Sequence, residues 1–181
     1  MLLDTPICDF GWKAPDFNLS DPDGVSYSLK STMGEKGLLV AFICNHCPYV
    51  LAVIERLVDD AKTLQQEGFG VVAIMSNDYR HVPADSPEHM KLFAKKHGFI
   101  FPYLVDEDQS VGQAYGAVCT PDFFGFNNKA ELQYRGRLDD AGMKDASHRT
   151  PELLNAMRQI DNTGNGPQHQ TPSMGCSIKW R

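Results

Sequence analysis

Two cysteines set three positions apart and followed directly by a proline, Cys44-Asn45-His46-Cys47-Pro48, are the residues of this sequence best suited to covalent chemistry. The thiolate is the nucleophilic form of cysteine, and a helix start or a neighbouring cation lowers a cysteine pKa from about 8.5 to roughly 3.5–7.5. Pro48 favours the first helical position. Cys47 is then the cap residue, its sulfur beside unpaired backbone N–H groups and the positive end of the helix. His46, when protonated, acts in the same direction. Cys44 lies upstream as either a second redox thiol or a buried strand residue, and pairing with Cys47 requires Cα atoms within about 4.4–6.8 Å. Cys44, His46 and Cys47 together with Cys119 or Cys176 supply zinc-type ligands. No second closely spaced ligand pair accompanies them, so no metal is expected.

The elements that must position this motif are readable on either side of it. Residues 38–43 form a continuous apolar run after Gly34 and Gly37, as in a strand covered on both faces. From Tyr49 the period changes: Val50, Leu51, Ile54, Leu57, Val58, Ala61 and Leu64 recur at helical spacing with Glu55, Asp59, Lys62 and Gln66 opposite, and Gly68 ends the helix. Residues 70–75 are a second buried strand. This strand–helix–strand unit puts Cys47 at the C-terminal edge of a parallel sheet, where α/β proteins place their sites. Further on, Ser86-Pro87-Glu88 opens a helix that His97-Gly98 closes. Residues 103–105 are a strand, 109–115 a short helix, 123–126 and 132–138 a hairpin across Asn127-Asn128-Lys129, and 151–160 a last amphipathic helix.

The expected core includes Leu39, Ala41, Ile43, Val50, Ile54, Leu57, Val72, Ile74, Leu92, Phe93, Phe124 and Phe126, while His81 and His97 read as surface residues. Beyond Ile160 the composition turns to Asn, Gly, Gln and Pro as far as Pro172, the pattern of a flexible connector. Ile178 and Trp180 near the end predict that this tail docks back. The expected organisation is one redox domain over residues 1–160 and a docking tail over 161–181.

A chain of 181 residues, 42% hydrophobic and 22% charged, has the composition of one globular domain. A net charge of −6 with no run of Lys or Arg repels polyanions, so nucleic acid is not an expected partner. No apolar stretch approaches the roughly 20 residues that cross a bilayer, and the first ten residues lack a basic-then-apolar signal. The expectation is a cytoplasmic protein with no membrane partner and no cofactor. Five cysteines, Cys8, Cys44, Cys47, Cys119 and Cys176, are an odd number that cannot pair fully within the chain. Reactivity, not a disulfide framework, is the reading that fits.

Several segments together resemble the peroxiredoxin-like (AhpC/TSA, redoxin) branch of the thioredoxin superfamily. Ala14-Pro15-Asp16-Phe17 with Asp23-Gly24 resembles its N-terminal hairpin, and Phe42-Ile43-Cys44-Asn45-His46-Cys47-Pro48 its strand, reactive Cys and following Pro. Cys119-Thr120-Pro121-Asp122-Phe123-Phe124 resembles the Thr-Pro segment that such folds place beside the active thiol. Asn77-Asp78, Phe101-Pro102-Tyr103-Leu104, the Tyr134-to-Asp140 segment and Gly175-to-Trp180 resemble one subgroup of that branch. The resemblance implies a thioredoxin-like α/β fold: a central mixed sheet flanked by helices, an N-terminal hairpin extension, a C-terminal tail and a cis Thr120-Pro121 bond.

The same resemblance sets limits. A thioredoxin keeps its second Cys one turn into the helix, where this chain has Val50, so the Cys44/Cys47 pair is offset. Peroxiredoxins surround the reactive Cys with an upstream Pro, a Thr or Ser, and an Arg; Val40, Cys44 and Pro121 stand at those positions. Arg135 or Arg137 on the next strand is either a replacement or part of a solvated hairpin edge.

The leading expectation is thiol–disulfide exchange: the Cys47 thiolate attacks a disulfide or sulfenic acid and a second Cys releases the mixed disulfide. Cys119 or Cys44 is expected in that second role ahead of Cys176, which a mobile tail carries but which Ile178 and Trp180 would pin wherever they dock; Cys8 has no evident role. His46, Pro48, Thr120 and Pro121 are the expected substrate-binding residues. Two alternatives stand beside it: a weak thiol peroxidase working through Cys47 sulfenic acid, and a non-catalytic redox sensor or binding protein. The partners implied are protein or small-molecule disulfides or peroxides, with thioredoxin or a low-molecular-weight thiol as reductant.

Overall fold

The computed structural model describes residues 1–181. The first half runs β1 (Leu2–Asp4), β2 (Asn18–Ser20), β3 (Ser26–Ser28), α1 (Leu29–Thr32), β4 (Gly37–Phe42), α2 (Pro48–Leu51), α3 (Ile54–Gln66) and β5 (Phe69–Met75). It continues with α4 (Pro87–Lys96), β6 (Tyr103–Val105), α5 (Ser110–Tyr115), β7 (Cys119–Thr120) and β8 (Asp122–Asn127). β9 (Leu132–Tyr134), α6 (Glu152–Thr163) and β10 (Met174–Ser177) complete it. No helix is long and apolar enough to cross a membrane.

Seven strands form a mixed sheet in the order β3-β2-β6-β5-β4-β8-β9. β4, β5 and β6 are parallel, and β8 joins β4 antiparallel with Val40 opposite Phe124. Every residue of β4 is buried, the two-sided burial that its unbroken apolar run dictates. The sheet separates two cores: α3, α4 and α6 cover one face, where Leu39, Ala41, Ile54, Leu57 and Met157 meet. On the other face Val40, Phe42, Val72, Ile74, Tyr115, Phe124 and Phe126 pack, with Ile178 among them. This is the thioredoxin-like α/β architecture with a mixed central sheet.

Four local readings change. The helical pattern that begins at Tyr49 is two helices, because the Val53 N–H turns to the Val50 carbonyl and interrupts the α-helical ladder. Val50 and Ile54 both stay buried across that break, which is why the spacing reads as continuous. Leu92 is 65% exposed: the buried face of α4 runs through Met90 and Phe93, and a neighbour in sequence points about 100° away on a helix. His97 is packed against Phe93 and bonds Glu55, with only 9% of its side chain exposed, whereas the His81 side chain is open to solvent.

The fourth concerns the residues after α6, which are tied down instead of forming a flexible connector. Gly166 N–H donates to Gln133 Oε1, the Gln170 side chain bonds the backbone of Gln133 and Arg135, and Arg137 N–H donates to the Thr171 carbonyl. Composition could not show this, because the partners are the Gln133 side chain and backbone groups of β9 and of the residues just after it.

The chain then enters a second, three-stranded sheet, β1-β10-β7, in which β10 is the central strand. It is held at both ends. Ser173 exchanges bonds with Thr5 and donates from Oγ to the Pro121 carbonyl. Past β10, Lys179 N–H donates to Asn77 Oδ1, and its carbonyl accepts from the Asp78 N–H and from Gln109 Nε2. Cys176 therefore sits on a clamped strand, not a mobile tail, although Trp180 remains 39% exposed.

At Gly175 the strand passes so close to β7 that an added Cβ would lie 2.0 Å from the Thr120 carbonyl oxygen. Gly175→Ala is expected to destabilise by about 1–3 kcal/mol, the usual range for overpacking, and to push β10 outward. Urea unfolding measures the first effect, and a rise in the Cys47 alkylation rate of at least tenfold measures the second.

Candidate active site

Thr120 is where three cysteines meet. Its Oγ1 lies 3.3 Å from Cys44 Sγ, and its carbonyl oxygen lies 3.2 Å from Cys47 Sγ. Cys176 is its partner in the β10–β7 register, and Cys176 Sγ is 3.0 Å from Cys47 Sγ. The Thr120-Pro121 bond is cis, as the resemblance implies. Cys47 caps α2 with Pro48 in its first position.

Cys47 is 0% exposed, yet its surroundings favour the thiolate and lower its pKa from the ordinary 9.0 to about 4. The largest cause is the Cys44 thiol as hydrogen-bond donor; burial opposes it, and the Cys176 thiol and the backbone N–H groups of Cys176 and Val50 add to it. The Thr120 carbonyl can accept only from the thiol form and so works against ionisation. The reading from sequence therefore needs correction on two points. Thiol donors, with the amides of the one-turn α2 only a lesser contributor, lead the effect, and the sulfur they ionise is covered by Cys176.

The neighbouring thiols move the opposite way. Cys44 is raised, first by its bond to Cys47 and then by burial. Cys176 is raised to about 11 by burial and by its bond to Cys47. At neutral pH the pattern is one thiolate accepting from two thiols.

Cys119 is not part of this cluster. Its sulfur faces the Pro121 carbonyl at 3.7 Å, and burial pushes its pKa up to about 12. Neighbouring strand residues face opposite sides, so the strand that brings Thr120 to Cys47 turns Cys119 away. Proximity thus keeps Cys44 beside Cys47, as expected from sequence, but puts Cys176 there in place of Cys119. Cys8 has its pKa raised to about 11, chiefly by burial, and shares no contact with this cluster.

His46 does not act on Cys47. Its Nδ1 lies 2.8 Å from Asp85 Oδ2, and the same buried carboxylate accepts from Asn45 N–H and Asn77 Nδ2. Tyr103 Oη donates to Asn45 Oδ1 at 2.9 Å. Asp85, Asn77 and Tyr103 thus set the Cys44–Cys47 loop, and sequence reasoning missed them as site residues; Asp85 lies between the second strand and the Ser86-Pro87-Glu88 helix start, with no motif to mark it. Cys44, His46 and Asp85 place their donor atoms within 4.8 Å of one another, a mixed S, N and O set that a soft divalent cation would accept. The carboxylate already has protein partners for both oxygens, so the arrangement is complete as a loop anchor.

Neither arginine after β9 reaches the sulfur, and Arg135 does not lie on a solvated hairpin edge. Arg135 is 8% exposed, pairs with the buried Asp122 at 2.9 Å and lies over the Phe124 ring. Arg137 pairs with Glu152. Beside the cluster, Tyr49, Val53, Pro121, Phe123 and Met174 help to line a cleft of ≈ 470 Å³. Pro121 is the predicted binding residue that borders it.

The family described as Redoxin matches residues 10–149, a span that holds Cys44, Cys47 and Thr120 but not Cys176. An uncharacterized conserved protein of Geobacillus kaustophilus has a crystal structure with TM-score 0.93 at 40% identity, covering 100% of this chain and 97% of that one. A Mycobacterium tuberculosis H37Rv protein named "Putative peroxiredoxin Rv2521" is 29% identical over 73% of this chain and 79% of its own length. The thiol-disulfide oxidoreductase ResA of Halalkalibacterium halodurans is 26% identical over 71% and 69%.

Two expectations follow from the cluster. Cys44→Ala raises the Cys47 pKa by at least one unit while Cys44→Ser, which keeps a donor, raises it less; thiolate absorbance near 240 nm against pH reads both. A group whose folded pKa is depressed stabilises above its unfolded pKa and loses that contribution as pH falls through the folded value. The stability margin of the reduced protein over Cys47→Ser therefore grows between pH 4 and pH 9, measured by urea unfolding across that window.

Proposed function

Because the chain belongs to the Redoxin family of thiol oxidoreductases, we propose that it carries out thiol–disulfide exchange with Cys47 as the thiolate and Cys176 as the second sulfur. The observation that carries this reading is the 3.0 Å approach of the two Sγ atoms. The net step is balanced: a Cys47 thiolate, a Cys176 thiol and an external disulfide become the Cys47–Cys176 disulfide, one thiolate and one thiol. The protein loses two electrons and the substrate gains them. Electrons return from thioredoxin or a low-molecular-weight thiol.

Cys44 serves as the donor that holds the thiolate. Thr120 contacts the sulfurs of Cys44 and Cys47, and Pro121 borders the cleft that would receive the substrate. Peroxide reduction is less well supported, because the peroxiredoxin partners are replaced and both nearby arginines are engaged in ion pairs.

The test is oxidation of the reduced chain by glutathione disulfide, followed by peptide mapping and by insulin-disulfide reduction. One Cys47–Cys176 disulfide per chain is expected, with turnover abolished in Cys47→Ser and reduced at least tenfold in Cys176→Ser. Fast reaction with hydrogen peroxide and no disulfide reductase activity would overturn the proposal in favour of a peroxidase.

A further inference from the structure

The two cysteines differ in how far they are buried. Cys47 is fully covered, whereas Cys176 is partly exposed on the central strand of the small sheet. That strand is clamped at Ser173 on one side and at Lys179 on the other, so fraying at one end does not uncover Cys47. Resting on the exchange reading above, we propose that Cys176 is the sulfur through which external thiols and disulfides react, and that Cys47 reacts only with Cys176.

In the reducing direction an external thiolate attacks Cys176 Sγ. The Cys47–Cys176 bond breaks, a new S–S bond joins Cys176 to the reductant, and the electron pair leaves on Cys47. A second external thiolate then attacks the reductant's sulfur in that mixed disulfide, yielding the external disulfide and Cys176, which takes up a proton. Two thiols are oxidised and the protein gains two electrons. The oxidising direction is this path reversed.

Leaving-group chemistry points the same way as access. A thiol of lower pKa leaves faster, and the site favours the thiolate on Cys47 over Cys176. Attack at Cys176 expels the stabilised anion into waiting donors from Cys44 and Val50, whereas attack at Cys47 would expel the poorer leaving group. Lys179 also lowers the cost of negative charge at Cys176, which assists an incoming thiolate. The polarity is set by position: the ionised sulfur belongs to a fully buried residue and its partner to one that is only partly buried.

The experiment uses the full oxidised chain, its Cys47–Cys176 disulfide first verified by peptide mapping, with glutathione as the probe thiol. Samples are quenched in acid at short times, free thiols are blocked, and glutathione adducts are located by mass spectrometry. At least tenfold more adduct on Cys176 than on Cys47 is expected, and Gly175→Ala should shift the ratio toward Cys47 by opening the strand. Adduct mainly on Cys47 of the wild-type chain overturns attack through Cys176 and leaves the exchange reading standing. Failure to form the Cys47–Cys176 disulfide overturns both.

Discussion

The pairing of Cys176 with Thr120 across β10 and β7 is the contact on which the chemistry depends. It brings a thiol from near the end of the chain onto the Cys47 sulfur in its first third, and it closes the site to solvent. A buried thiolate without donors would be unstable, since burial penalises the charged form. Here burial comes with two thiol donors and two backbone amides, and the donors prevail. The covering that hides Cys47 also supplies part of what ionises it.

Holding that contact requires rigidity at places far apart in sequence. The buried Asp122–Arg135 pair fixes the strand that begins at the cis-proline, and Arg135 also donates to the Gly116 carbonyl. On the other side of the cleft, Asp139 ties Arg56 of α3 to Arg149, which in turn holds Asp60. Breaking one partner of such a pair leaves an uncompensated buried charge. These pairs keep the groups around Pro121 and α3 in register with the cysteines.

The architecture departs from a site in which an exposed reactive cysteine meets its substrate directly. The Redoxin segment supplies the strand, the one-turn helix and the Thr-Pro corner. The strand that covers them lies outside that segment, in residues 174–177. A second sulfur is thereby brought to the Redoxin segment by a strand that lies outside it.

Local rules determined a good part of this molecule. The unbroken apolar run of β4, the helical spacing around Ile54 and Leu57, and the proline after Cys47 encode the strand-to-helix junction and mark its cysteine, because burial on two faces and helix periodicity act over a few residues. The cis Thr120-Pro121 bond was legible only through resemblance. Tertiary structure decided what no spacing encodes: that Cys176 covers Cys47, that Cys119 turns away, that Asp85 anchors the loop and that Arg135 is buried. Those outcomes depend on strand register and on backbone partners more than a hundred residues apart for Cys47 and Cys176, and a one-residue change in register would send each side chain to the opposite face.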